Sequence, residues 1–205
     1  MNVKSRNSEH SGGSYSSFKM QTGFAILERL FHNLRVLQYS KTVDDRISRL
    51  TEKWRDLIGR GNYQWDTVEY FYDPVHNLIK SFPGMKSIDL LLAEYQIPEI
   101  SDGFVVFLRF LTSAYIKTNQ AYFSFLWEYD GITAEDWCSQ EIDCYGKESD
   151  EAHIVGAVNA LGFPCEIIYL DRSEGTSANV HPYLPAYAGT CVEMGDGEVP
   201  TLLYR

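Results

Sequence analysis

The chain has 205 residues, 44% of them hydrophobic, which is enough for one globular domain with a core of its own and too little for two large ones. A formal charge of −10 argues against a general nucleic-acid binder, because a phosphate backbone asks for a basic face. No apolar run reaches the ~18 residues a membrane helix needs, and the N-terminus lacks the apolar stretch of a signal peptide. The four cysteines, Cys138, Cys144, Cys165 and Cys191, are irregularly spaced and form no C-x-x-C pair, so they read as reduced thiols of a cytoplasmic or also nuclear protein.

Residues 1–22 are rich in Ser, Gly, Asn and Lys and offer little apolar surface to offset ordering entropy, so they are expected to form a disordered polar tail. Leu27, Leu30, Phe31, Leu34 and Leu37 then recur at helical spacing. A second helix is expected from Asp44 or Asp45, with Ile47, Leu50, Trp54, Leu57 and Ile58 on one face and Gly59 and Gly61 at its end. Asp66-Thr67 can cap a third helix, which Pro74 should kink or interrupt. Pro83-Gly84 marks a break, and Ser87 opens a short helix that Pro98 stops. Residues 102–118 are apolar on most faces and predict a buried central helix, and Thr133 with Asp136 frames a variant capping box before Trp137.

The stretch from Lys147 to Arg172 is the most strongly patterned. Ser149 reads as an N-cap, with Asp150 and Glu151 at the positive end of the helix dipole. Ile154, Val155, Val158 and Leu161 keep helical spacing, and Gly156, Ala157 and Ala160 would let that helix lie close against a sheet. Gly162 suits a left-handed C-terminal cap, and residues 166–170 suit a buried strand. Residues 180–184 and 201–204 are further strand candidates. Helices first and strands last predict an α+β, three-layer domain with a small sheet near its C-terminus. Only Arg205 follows the last strand, so that strand is expected either to form a sheet edge or to lack a neighbour.

No motif of a metal site, P-loop, dinucleotide fold or serine hydrolase is present, so no cofactor and no metal is expected. Cys138 and Cys165 read as small buried hydrophobes, and Cys144 and Cys191 have no activating neighbour in sequence.

KESDEAHIVGAVNAL followed by I-I-Y-L-D-R resembles the otubains, the ovarian-tumour-type cysteine deubiquitinases, whose comparable segment reads K-E-S-D-H-I-H-I before an alanine-rich helix and a V-x-Y-x-D-R strand. DGFVVFLRFLTSAYIKT is similar to the family's F-x-R-x-x-T-S/A-x-x-I helix, residues 179–185 to its N-x-H-x-F-x-P strand, and TLLYR to its L-L-Y-R. The resemblance implies a papain-like fold over residues 23–205, ubiquitin or polyubiquitin as partner, and a ubiquitin-conjugating enzyme as a second one.

It also locates departures. The family's D-G-N-C-F-x-R nucleophile motif precedes a helix that Gly23-Phe24-Ala25-Ile26-Leu27-Glu28 matches, which puts the cysteine position on Ser17. A hydroxyl is much harder to deprotonate than a thiol, so Ser17 is not expected to replace it. The family's catalytic histidine and its acidic partner follow L-L-Y-R directly, beyond Arg205. The resemblance therefore implies no catalytic residue here, an incomplete domain, and a ubiquitin-facing surface. That surface falls on Phe123, Phe125, Tyr129, Glu141, Lys147, Asp150, His153, Ile154, Asn179, His181 and Tyr183. Three readings compete: an active isopeptidase given incompletely, a pseudoenzyme that binds without cleaving, and a domain sharing only the fold.

Overall fold

A computed structural model describes residues 15–36, 41–147, 149–162, 164–169, 179–186 and 201–204. Residues 1–14, Leu37, Leu170 and Cys191, on which expectations were placed, lie outside the described residues.

Eight α-helices precede three strands among the described residues: α1 (Tyr15–Val36), α2 (Lys41–Arg60), α3 (Trp65–Ser81), α4 (Ile88–Tyr95), α5 (Pro98–Thr118), α6 (Gln120–Phe123), α7 (Ala134–Glu141), α8 (Glu151–Leu161), β1 (Cys165–Tyr169), β2 (Asn179–Tyr183) and β3 (Thr201–Tyr204). The sheet runs β2-β1-β3, with β1 antiparallel to β2 and parallel to β3. It rests on α8 and α1, α8 packs on α5, and α5 packs on α2 and α3, giving the expected α+β layering.

The central helix is the pivot of the core. Phe104, Phe107 and Leu111 of α5 meet Trp54 of α2, Tyr72 and Val75 of α3, and Phe31 of α1. Tyr72 stacks on Phe107 at 4.7 Å between ring centroids, and Trp54 meets both rings edge-on. Burying one such side chain contributes about 1.5–3 kcal/mol, so this cluster dominates the stability of the helical half. A second cluster, Ile116, Phe123, Trp127, Trp137, Cys138 and Ile142, sits under the segment between α5 and α8. A third joins Ile154 and Val158 of α8 to Cys165 and Ile167 of β1.

Four expectations are corrected. Helix α1 begins at Tyr15, so the polar stretch is not a tail as far as residue 22; extending an existing helix adds a hydrogen bond per residue without a new nucleus. Helix α3 starts at Trp65, with no side-chain cap from Gln64, and runs through Pro74. The carbonyl that Pro74 deprives of a donor belongs to Tyr70, an exposed residue that water reaches, while Tyr72, Val75 and Leu78 hold the helix from the other side. The N-cap of α8 is Asp150 rather than Ser149. Finally, Gly156 faces helix α5, not the sheet: a Cβ there would stand 3.0 Å from Thr112 and 3.1 Å from Ile116.

Other local signals hold. Ser87 Oγ accepts from Leu90 N, and Thr133 Oγ1 accepts from Asp136 N at 3.1 Å while donating to its carboxylate at 2.8 Å. Gly162 takes φ 74°, ψ 26°, the left-handed cap.

Candidate functional site

The segment from Glu141 to Asp150 links α7 to α8 and carries part of the expected binding surface. The interior holds it from three sides. Arg109, 4% exposed inside the apolar α5, donates from Nη1 to the Ile142 carbonyl at 2.5 Å and from Nη2 to the Lys147 carbonyl at 2.7 Å. One guanidinium therefore fastens both ends of the loop, a use suited to its fixed fork of donors. Burial lowers the Arg109 pKa, with Asp143 among the groups opposing the shift.

From the turn between α2 and α3, Tyr63 donates its hydroxyl to Asp143 Oδ2 at 2.7 Å. The Tyr63 hydroxyl oxygen also lies 2.6 Å from Ser113 Oγ and accepts from Lys117 Nζ at 2.8 Å. Burial, followed by the hydrogen bond to Asp143, raises the Tyr63 pKa, so the phenol is held in its neutral, donating form.

The third anchor is the cap of α8. Asp150 Oδ1 accepts from His153 N at 3.2 Å, and His153 Nδ1 lies 2.6 Å from the same oxygen and 3.3 Å from Asp150 N. His153 Nε2 faces the Glu141 carbonyl at 3.0 Å, which can only accept, so that nitrogen carries the hydrogen. The ring thereby ties the end of α7 to the start of α8. Lys147 pairs with Glu141 Oε1 at 2.6 Å across the base of the loop.

Of the three described thiols, two are buried. Burial pushes Cys138 up to about 11 and Cys165 up to about 12, far from the thiolate a cysteine hydrolase needs. Cys144 is exposed and bonded to the Ser139 carbonyl at 3.3 Å. Ser17 lies in the first turn of α1. A cleft of about 260 Å³ where α2, α5 and α8 meet is lined by Lys53, Trp54, Arg60, Tyr115 and Asn159, with no cysteine or histidine on its wall. Among the described residues no group of three or more His, Cys, Asp or Glu side chains is placed to hold a metal ion.

The match to the family Peptidase C65 Otubain spans residues 16–205. The chain belongs to the otubain family. This otubain is 33% identical over 161 residues to ubiquitin thioesterase OTUB1 of Rattus norvegicus, covering 78% of this chain and 56% of that protein. It is 29% identical to the ovarian tumor domain-containing deubiquitinating enzyme 1 of Arabidopsis thaliana, again over 78% of this chain and 56% of that one. The chain thus spans a little over half the length of these relatives. In fold it is similar to a solved complex of h/ceOTUB1 with ubiquitin aldehyde and UBC13~Ub, at TM-score 0.67 and 21% identity over 92% of this chain and 71% of that one. The corresponding complex with UBCH5B~Ub gives TM-score 0.66 and 23% identity, over 92% of this chain and 70% of that one.

The residues assigned to the otubain surface separate by burial. Phe125 and Tyr129 are exposed, Tyr129 at 97%, as are Lys147, Asp150, Asn179 and His181. Glu141 and Tyr183 are half-buried. Phe123 at 1%, His153 at 5% and Ile154 at 6% are buried and face the interior. Phe123 belongs to the second core cluster, Ile154 to the third, and His153 to the cap. Arg109 and Tyr63 carried no functional role in the sequence reading. A lone arginine in an apolar helix was a visible signal, since a buried cation must find acceptors.

Proposed function

We propose that this chain is the ubiquitin-recognising body of an otubain-type ubiquitin thioesterase, and that over its 205 residues it binds ubiquitin and a ubiquitin-conjugating enzyme without hydrolysing either. The observation carrying the partners is the likeness to OTUB1, whose solved complexes hold ubiquitin aldehyde together with UBC13~Ub or UBCH5B~Ub. The absence of hydrolysis is supported by the thiols: Cys138 and Cys165 are buried in their protonated form, and no described cysteine is hydrogen-bonded to a histidine. Acyl transfer through a cysteine of ordinary pKa uses that pair at neutral pH.

A second reading is an active ubiquitin thioesterase whose nucleophile and base lie on flanking sequence; the greater length of the relatives favours it. Incubation with ubiquitin bearing a cysteine-trapping electrophile separates the two. The chain as given should stay unlabelled, while titration into isotope-labelled ubiquitin should shift ubiquitin resonances. Covalent labelling overturns the non-catalytic reading, and unshifted spectra at millimolar ubiquitin overturn binding.

A further inference from the structure

The cleft of about 260 Å³ where α2, α5 and α8 meet stands apart from the otubain surface: none of the residues assigned to ubiquitin lines it. Its floor is apolar. Leu50, Trp54 and Leu57 recur along α2 at i, i+4 and i+7, and Tyr115 of α5 with Ala160 and Leu161 of α8 completes it. One wall is tied in place. Asn159 donates from Nδ2 to the Val155 carbonyl at 2.8 Å, and its Oδ1 accepts from Ala186 N at 2.7 Å, holding the chain that leaves β2 against α8.

The lip is basic. Lys53 and Arg60, both exposed, stand on it two helical turns apart, about 10 Å along α2. Arg60 Nε donates to Asp56 Oδ2 at 2.8 Å, which neutralises the one carboxylate among the described lining residues and orients the guanidinium. Its Nη1 and Nη2 make no hydrogen bond among the described residues, leaving a two-pronged donor edge at the lip. Helix α2 carries six basic and four acidic residues in a chain whose net charge is −10, so this lip is a local excess of positive charge on an acidic protein.

That charge selects an acidic occupant, which the rest of the molecule repels. The volume is smaller than the roughly 300–1,000 Å³ of sites that enclose a drug-sized ligand, and suits one apolar side chain whose neighbours stay outside. We propose that the cleft docks an acidic peptide segment of a partner protein, with a leucine-sized side chain on the floor and carboxylates on Lys53 and Arg60. Two acidic residues three positions apart on an extended chain stand about 10 Å apart, matching the lip. The proposal is independent of ubiquitin binding.

The test titrates a capped hexapeptide, with two glutamates three positions apart and a leucine between them, into the isotope-labelled 205-residue chain. Saturable shifts should appear at the Trp54 indole, the Asn159 side-chain amide and the Gly162 amide. Glutamine in place of both glutamates, or alanine in place of the leucine, should each weaken binding about fivefold or more. Lys53→Glu and Arg60→Glu should each weaken it about five- to tenfold with melting midpoints nearly unchanged, because both side chains are exposed. Lys86→Glu makes the same change of net charge outside the cleft and should cost less than about twofold at moderate salt. Equal weakening by Lys86→Glu, wild-type affinity in the double variant Lys53→Glu with Arg60→Glu, or no saturable shifts at millimolar peptide overturns the proposal. The double variant should still shift ubiquitin as the wild type does, so failure of the peptide leaves the proposed function standing.

Discussion

The Tyr63 hydroxyl donates to Asp143 Oδ2 at 2.7 Å, joining positions 80 residues apart in the chain. It is the strut under the loop between α7 and α8, and it brings a half-buried carboxylate with it. The other oxygen, Asp143 Oδ1, has no hydrogen-bond partner among the described residues, so Asp143 relies heavily on Tyr63. Tyr63→Phe removes the hydroxyl and leaves Asp143, Ser113 and Lys117 to rearrange around the gap. The expected cost is about 1–3 kcal/mol in a denaturant titration. An unchanged midpoint would mean that water or Lys117 already satisfies the carboxylate.

The cap of α8 gives stability an acid limb. The hydrogen bond from His153 is the largest cause of the lowered Asp150 pKa, partly opposed by burial. A carboxyl depressed in the folded state takes up its proton first in the unfolded one. Its contribution is therefore complete above the ordinary carboxylate value of about 4 and disappears as pH falls through the lower folded value. Asp150→Ala should cost about 0.5–2 kcal/mol at neutral pH through loss of the cap. Its unfolding free energy should also fall less steeply than wild type between about pH 5 and 3. Parallel curves across that range would remove Asp150 as their source.

What was legible in advance follows the range of the interaction. Ser87, Thr133 and Gly162 act on neighbours three or four residues away, and each cap formed where its residue type stands. The cap of α8 moved one residue because Ser149 and Asp150 are both good caps. Asp150 is the one His153 can answer while reaching the Glu141 carbonyl. The anchors of the loop were hidden. Arg109 lies 33 and 38 residues from its two acceptors, and no local pattern names an acceptor at that distance. The family resemblance located the candidate surface but could not separate Phe123, turned inward, from Phe125, turned out; two positions apart on short turns, their exposure depends on tertiary packing.

Gly61 marks a place where two backbones meet. A Cβ added there would overlap the Cβ of Ala114 and lie 2.5 Å from its Cα. Gly61→Ala should therefore destabilise by about 1–3 kcal/mol through overpacking between α5 and the turn after α2. Trimming the partner with Ala114→Gly should restore little, because the Cα remains in the way. Full rescue by the double variant in thermal melts would show that the turn can retreat.

The thiols should separate sharply by reactivity. At pH 8 a cysteine near 11, such as Cys138, exposes about one part in a thousand as thiolate, and Cys165 near 12 exposes less still. Both are also buried, so alkylation must wait for local or global opening. Cys144 needs no opening. Brief treatment with iodoacetamide and peptide mass spectrometry should find Cys144 modified well before Cys138 and Cys165, with the difference erased in denaturant. Under native conditions, Cys138 modified as fast as Cys144 would mean that the cluster of Trp127, Trp137 and Ile142 opens readily. That outcome would also remove the packing that keeps the loop's α7 end in place.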